Sequence, residues 1–382
     1  MTIELYRMAG ADAAVDASYG PPVDRNHSLK SCVDRAPQAL LDDQEVAGYW
    51  CYEFEADATI PSEFVLMCHY MDDIDDALEQ KIGNYLRSKQ AEHGGWSLFY
   101  GGGFNLSASV KAYYALKLTG DDPSEPHMVR VREAILSHGG AASANVFTHI
   151  TLALFGQIPW RGVPFIPVEV MLLPKWFPFH ISKVSYWSRT VMVPLFVLTP
   201  LKSMAHNPRQ VEIRELFTIH PEEETNYFPI RSGLNRFFFW LDQAGRLLEK
   251  VVPKFIREKA LRKREAWVME RLNGLDGLSA IFAAMVNARE MLRARGYADD
   301  HPYMVQTREA LRLLVVERED IAYCQPFTSP VWDIGLACLA IHDASESGVE
   351  PEAVRALDWL VPRQLLDAPG GWQQNRPRLC GG

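Results

Sequence analysis

Apolar residues along this chain recur at intervals of three and four, the period of a helix, and seldom alternate as a strand requires. Leu78, Ile82, Tyr85 and Leu86 share one face of such a helix. Its start carries Asp76 and Glu79, placed as a capping box, and the carboxylates there suit the positive end of the helix dipole. Ser107 is placed to cap a second helix containing Val110, Tyr113, Tyr114 and Leu118, which Gly120 stops. Pro126 suits the first turn of a third, ending near Gly139, and a fourth runs from Val146 to Gly156. The same grammar returns from Ile281 to Arg295, closed by Gly296. Pro302, Pro330 and Pro351 each stand where a helix should begin. The first 45 residues read as polar and irregular. From Ala47 onward the pattern predicts helix hairpins.

Two stretches depart from it. Thr151 to Leu201 contains Pro159, Pro164, Pro167, Pro174, Pro178, Pro194 and Pro200 with few charges. Such a segment either lines an apolar cavity or fills the core. Arg236 to Ile256 carries Phe237, Phe238, Phe239, Trp240, Leu241, Leu247, Leu248, Val251, Val252, Phe255 and Ile256. Lys250, Lys254, Arg257, Lys259, Arg262, Lys263 and Arg264 lie among and after them. Aromatics beside a basic cluster suit a helix lying in a membrane interface, and a core helix with a solvated end is the plainer reading. One turn recurs: Gln90 with Gly94-Gly95-Trp96, and Gln364 with Gly370-Gly371-Trp372. Worn copies stand at Gly139-Gly140 and Asp276-Gly277-Leu278. Glycine permits the tight turn, Trp covers a helix end, and Gln can bond its free backbone groups.

Composition narrows the function classes. The 382 residues are 48% hydrophobic with 10 Trp, enough for two domains, or one large and one partial. Lys and Arg number 39 against 48 Asp and Glu, a net charge of -9, which argues against nucleic acid as a partner. Cys32, Cys51, Cys68, Cys324, Cys338 and Cys380 form no CxxC pair and no zinc spacing, as expected of reduced thiols. Met1 to Val15 lacks the basic start and apolar run of a signal peptide. No uninterrupted apolar run reaches the roughly 18–20 residues of a spanning helix. Gly101-Gly102-Gly103 lacks the Lys-Ser/Thr of a phosphate loop, and Cys68-His69 has no further metal ligands nearby.

A set of short blocks then points to one family. They begin with Gly48-Tyr49-Trp50-Cys51-Tyr52-Glu53-Phe54-Glu55-Ala56-Asp57 and Ser62-Glu63-Phe64-Val65-Leu66. Gln90 to Trp96, Asn105 to Lys117, Asn145-Val146-Phe147-Thr148 and Pro159-Trp160 follow. Trp176-Phe177-Pro178-Phe179, Ser185-Tyr186-Trp187-Ser188-Arg189 and Ser329-Pro330-Val331-Trp332-Asp333 complete them. In this order they resemble the squalene–hopene cyclases, from about Ala47 to the last residue.

The resemblance implies an all-α fold of two α/α barrels (an α/α toroid of helix hairpins with Gln–Trp repeat turns). Residues 1–46 would belong with the second barrel, 47–325 would form the inserted barrel, and 326–382 would begin the C-terminal one. It implies cyclisation of squalene, or a similar linear terpene, to hopene or hopanol without metal or cofactor. A carboxylic acid protonates the terminal alkene, and aromatic faces stabilise the cations that follow. It also implies monotopic attachment to the cytoplasmic face of the cell membrane, and admits a homodimer when full length. Carried over by position, Trp187, Trp332 with its neighbour Asp333, Phe147, Ile281 and Phe282 would line the cavity. Phe282 stands where some members carry Gln, and Ala283 where Pro is usual. The family's acid lies in an Asp-x-Asp-Asp motif expected after Gly382, so no catalytic residue is expected in this chain. The literal Asp73-Ile74-Asp75-Asp76 lies in the wrong half and reads as a helix start. Two rivals are a protein prenyltransferase subunit, for which the zinc ligands are lacking, and a non-catalytic lipid-binding or scaffold remnant.

Overall fold

The computed structural model describes residues 25–165, 167–177, 180–225, 227–228, 233–249, 251–345, 350–364 and 366. These fall into two compact units, one holding the residues up to Tyr52 with Ser329–Gln364, the other Glu53–Thr328.

The smaller unit contains α1 (Arg25–Asp42), which lies against α12 (Pro330–Ala344), itself packed on α13 (Pro351–Leu360). Helix α1 is a correction to the irregular reading of the first 45 residues. Leu29, Val33, Ala36 and Leu40 stand at helical spacing in it, a signal that Pro37 inside the helix masks. Its end is anchored by tertiary contacts, Leu40 and Leu41 packing on a core of Trp50, Ile334, Ala337, Ile341 and Ala356.

The larger unit is built from α2 (Thr59–Met71), α3 (Asp76–Ser88), α4 (Leu106–Thr119), α5 (Pro126–Ser137), α6 (Val146–Leu154), α7 (Tyr186–Leu201), α8 (Gly233–Glu249), α9 (Lys254–Met269), α10 (Phe282–Ala294) and α11 (Pro302–Arg312). Inner and outer helices alternate. Helix α4 packs between α2 and α6, α10 joins α7 to α2, and α3, α5, α9 and α11 cover α4, α7 and α10 from outside. Burial follows: Val110, Ala112, Tyr113, Tyr114, Ala115, Leu116 and Leu118 bury α4 on nearly every side, with Lys111 buried among them and Lys117 half-buried. The fold is thus all-α, with one short antiparallel hairpin among the described residues, β1 (Val315–Glu317) pairing β2 (Ala322–Cys324). Helical reading missed that hairpin, whose β-branched Val315-Val316 and buried Tyr323 suit a strand covered by α3.

Pro126, Pro302, Pro330 and Pro351 all open helices. Two caps differ from expectation. Asn105, not Ser107, caps α4 by accepting from Ala108 N–H (3.0 Å), because Ser107 Oγ is taken by Asn145 N–H (2.9 Å). Asp75 caps α3 through Leu78 N–H (3.1 Å), while Glu79 turns inward to His69 Nε2 (3.1 Å). The described residues of the proline-rich stretch form three 3-10 turns after α6 and then α7, which runs through Pro194. Burial of Val193, Leu195, Phe196, Val197 and Leu198 offsets the backbone bond that Pro194 cannot make.

The Gln–Gly–Trp turn at Gln90 has a matching geometry at Gln44, which sequence reading passed over. Gln90 Nε2 donates to the carbonyls of Gly94 and His127 (2.9 Å each), and Trp96 Nε1 to that of Leu86 (3.0 Å). Gln44 Nε2 donates to the carbonyls of Gly48 (3.0 Å) and Glu352 (2.8 Å), and Trp50 Nε1 to that of Leu40 (2.6 Å). Gly94 (φ +85°) and Gly48 (φ +93°) hold left-handed conformations with a carbonyl close by. Gly370, Gly371 and Trp372 lie outside the described residues. At Gly95 a Cβ would stand 2.4 Å from Phe104 and from the Ser109 hydroxyl that accepts Trp96 N–H. Gly95→Ala is expected to cost about 1–3 kcal/mol by overpacking, read as a lowered urea midpoint. An unchanged midpoint would show that the turn relaxes freely.

Candidate functional site

Within the larger unit the inner helices α2, α4, α6, α7 and α10 enclose a cavity of ≈ 330 Å³. Helices α2, α6, α7 and α10 each contribute a stripe set by the 3.6-residue period, and α4 contributes Lys111. From α2 come Thr59, Ile60, Glu63 and Leu66; from α6, Phe147, Ile150, Thr151 and Leu154; from α10, Ala283, Val286, Asn287 and Glu290. Val191 and Leu195 of α7 and Leu98 of the loop before α4 close it. Most of the wall is aliphatic or aromatic.

Its ionisable groups are Glu63, Lys111 and Glu290. Lys111, buried on α4, forms an ion pair with Glu63. Burial, and then the nearby Glu63, push the Glu290 carboxyl up to about 8, so it is protonated at neutral pH. Asn287 Nδ2 donates to the Val191 carbonyl (3.1 Å), and Asn145 caps α6 through Thr148 N–H (2.9 Å). An apolar chamber with one compact polar group can hold a hydrocarbon and still present a base, an acid or an ordered water at one place.

A second cavity of ≈ 700 Å³ shares Ile60 and Leu98 with the first. Its wall is aromatic: Phe54, Tyr85, Trp96, Phe99, Tyr100 and Phe327. Phe54 and Phe327 stack at 5.0 Å, and Trp187 meets Phe327 edge-on at 6.4 Å. Trp187, Val191 and Leu195 lie on one face of α7, so Trp187 stands one turn before the cavity wall and is 57% exposed. The edge bears one ion pair, Lys89 with Glu55 (2.5 Å).

The structure distributes the expected site residues as follows. Phe147 lines the first cavity, and Trp187 stands by the aromatic cluster. Ile281 is the half-buried residue before α10. Phe282 is a correction to the expected wall: it is fully buried in packed interior, because the cavity-facing stripe of α10 starts at its neighbour Ala283 and continues through Val286, Asn287 and Glu290. Trp332 (73% exposed) and Asp333 belong to the smaller unit, where Asp333 Oδ2 accepts from Tyr52 N–H (3.0 Å). Sequence reading missed Glu63, Lys111 and Glu290. The available signal was a charge set on a cavity-facing position of an otherwise apolar helix, as Lys111 is between Val110 and Ala112.

The Asp-x-Asp-Asp carboxylates have structural partners: Asp73 pairs with Arg289 (2.8 Å), Asp75 caps α3, and Asp76 pairs with Arg209. Among the described residues Asp121, Glu125 and His127 gather closely enough to suggest a metal. Both His127 ring nitrogens already face carboxylates, Nε2 to Asp121 (2.6 Å) and Nδ1 to Glu125 (3.5 Å), and Asp121 also holds Arg87. The cluster is a polar network around the Arg87–Asp121 ion pair.

Residues 33–320 match the family model of the squalene-hopene cyclase N-terminal domain, and residues 328–382 that of the C-terminal domain. A squalene–hopene cyclase of Zymomonas mobilis is 47% identical over 360 residues, covering 92% of this chain and 54% of that protein. One of Bradyrhizobium diazoefficiens is 46% identical over 359 residues, 93% of this chain and 54% of that protein. A dammaradiene synthase of Dryopteris crassirhizoma is 30% identical over 342 residues, 88% of this chain and 50% of that protein. The chain spans about half the length of these curated relatives.

Proposed function

Because the chain belongs to the squalene–hopene cyclase family, we propose that it forms part of an enzyme that cyclises squalene, or a similar linear terpene, to hopene or hopanol. The observation that carries this reading is the largely apolar cavity among the inner helices, beside an aromatic cluster and with one set of charged residues, Glu63, Lys111 and Glu290. A hydrocarbon offers no hydrogen bonds, so shape and apolar burial must hold it. The faces of Trp187, Phe54, Phe327 and Phe147 suit the cations of a polycyclisation, each attraction worth about 0.5–2 kcal/mol. At the last cation a neighbouring C–H bond breaks, its electron pair becomes the alkene, and the proton passes to a base. Alternatively water adds and gives the alcohol. The Glu63–Lys111–Glu290 group is where this chain offers such chemistry.

The initiating acid lies outside these residues in our reading, because Asp73, Asp75 and Asp76 are committed to Arg289, a helix cap and Arg209. No described helix is long and apolar enough to cross a membrane. Attachment to one membrane face is proposed through α8 and the start of α9, where Trp240, Leu247, Val251 and Phe255 are exposed beside Lys254, Lys259, Arg262 and Lys263. Side chains of Phe237, Phe238, Leu241 and Leu248, and residue Lys250, lie outside the described ones. The cytoplasmic face and a homodimer of the whole enzyme belong to the same proposal.

The test joins this chain to the C-terminal half of its Zymomonas relative and supplies squalene in detergent. Cyclic triterpenes are expected by gas chromatography–mass spectrometry from the joined polypeptide and none from the chain alone. Product from the chain alone would overturn the placement of the acid. No product from the joined, folded polypeptide would overturn the activity.

A further inference from the structure

Lys111 is the one cation among the described residues of the first cavity's wall, and it is 5% exposed. An ammonium group has three N–H donors. One is held by Glu63, and Lys111 has no other hydrogen-bond partner among the described residues. Glu290, 7% exposed, lines the same cavity and has neither a hydrogen bond nor an ion pair among the described residues. A buried ion pair is weak evidence for stability, because both charges leave water. An amine, its carboxylate partner and an unpartnered carboxyl gathered in an apolar chamber are the parts of a reactive site. The wall around them includes Leu66, Ile150, Leu154 and Leu195. Leu98 and Phe147, 50% and 54% exposed, mark where the cavity meets solvent.

The chemistry open to this set is addition to a carbonyl, for which a lysine amine in an apolar pocket is suited. We propose that the cavity binds linear apolar aldehydes and holds them as a protonated imine on Lys111. The Lys111 ammonium first passes a proton to Glu63, its hydrogen-bond partner. The amine lone pair then forms the C–N bond. The carbonyl π pair moves to oxygen, which takes a proton from Glu290, and the nitrogen returns one to Glu290. The C–O bond breaks as the nitrogen pair forms C=N, and the departing oxygen takes the proton held by Glu63. Ammonium and aldehyde thus give iminium and water, and both carboxyl groups end as they began. The iminium keeps the single positive charge beside Glu63, so the ion pair survives the reaction. An apolar wall that keeps water out slows the return hydrolysis. The inference rests on the cavity and not on squalene, which has no carbonyl.

Incubating the full chain with decanal and sodium cyanoborohydride tests it. The hydride reduces the iminium to a stable secondary amine, which peptide mass spectrometry locates. Lys111 is expected to be labelled about a hundredfold faster than the exposed Lys175, Lys202 and Lys254, the usual worth of a positioned acid and base. Glu290→Gln should bring Lys111 down to the rate of those exposed lysines and leave theirs unchanged. Lys111→Arg keeps a cation for Glu63 and should abolish labelling of that peptide. Propanal, too short to fill the apolar wall, should lose most of the preference. Labelling of Lys111 by decanal no faster than that of the exposed lysines overturns the proposal, whatever the cyclisation test returns. An unchanged rate in Glu290→Gln overturns the part given to Glu290. Equal preference with propanal overturns selection of the apolar chain.

Discussion

Trp50→Ala is expected to unfold the smaller unit while the larger one stays folded. Trp50 is fully buried, and its indole N–H is held by the Leu40 carbonyl at the end of α1. Around it the buried apolar residues are Ile334, Ala337, Ile341 and Ala356, two of them alanines. Half-buried Leu40, Leu41, Tyr49, Cys338, Trp359 and Leu360 complete the cluster. Removing a large aromatic from a core costs about 3–5 kcal/mol. Domain stabilities are about 5–15 kcal/mol, and small units lie at the low end. The loss therefore removes most of what holds α1, α12 and α13. Limited proteolysis should cut Pro330–Leu360 rapidly in the variant and spare Thr59–Ala294. Trp50→Phe keeps most of the area and loses one hydrogen bond, about 1 kcal/mol, so it should remain protease-resistant. An alanine variant as resistant as the parent would refute the argument.

Lys111→Met is the second large effect expected. It leaves the Glu63 carboxylate without its cation in an apolar cavity, with Glu290 nearby. Breaking one side of a buried ion pair costs about 3–5 kcal/mol, whereas removing both partners is far milder. Adding Glu63→Gln to the methionine variant should therefore restore most of the lost stability in urea. A double variant no better than the single would refute the pairing. Glu290 supplies a pH signature. Its folded carboxyl holds a proton up to about 8, whereas its ordinary value is 4.5. The folded state binds more protons between those values, so stability is fully present below 4.5, falls as pH rises to about 8, and levels beyond. Glu290→Gln removes the group and should flatten that slope. A slope unchanged in the glutamine variant would place its origin elsewhere.

How far the fold and site could be read depended on where the stabilising information resides. Helices opened by Pro126 and Pro302 were legible because φ restriction and period lie within a few residues. Helix α1 was not, since Pro37 interrupts the spacing of Leu29, Val33, Ala36 and Leu40, and its last turn is held by Trp50 and α12. Cap assignment slipped from Asp75 to Asp76 because adjacent aspartates are equivalent until Glu79 is seen turning to His69. The Gln44 turn went unread because it has one glycine where Gln90 has two in succession. Phe147 and Trp187 came from family resemblance. Glu63, Lys111 and Glu290 are far apart in sequence, and only the packing of α2, α4 and α10 brings them together.

The wall between the two cavities is made by Ile60 of α2 and Leu98 of a loop. A helix residue packed in a core changes position only at the cost of its neighbours, whereas loops tolerate substitution and insertion. One side of the partition is therefore rigid and the other adjustable. Lineages sharing this helix frame can lengthen or shorten the space open to a guest by editing Ser97–Phe104, leaving the helix-borne polar group untouched. Such a design separates the ruler from the frame, so that divergence in guest size requires no redesign of the barrel.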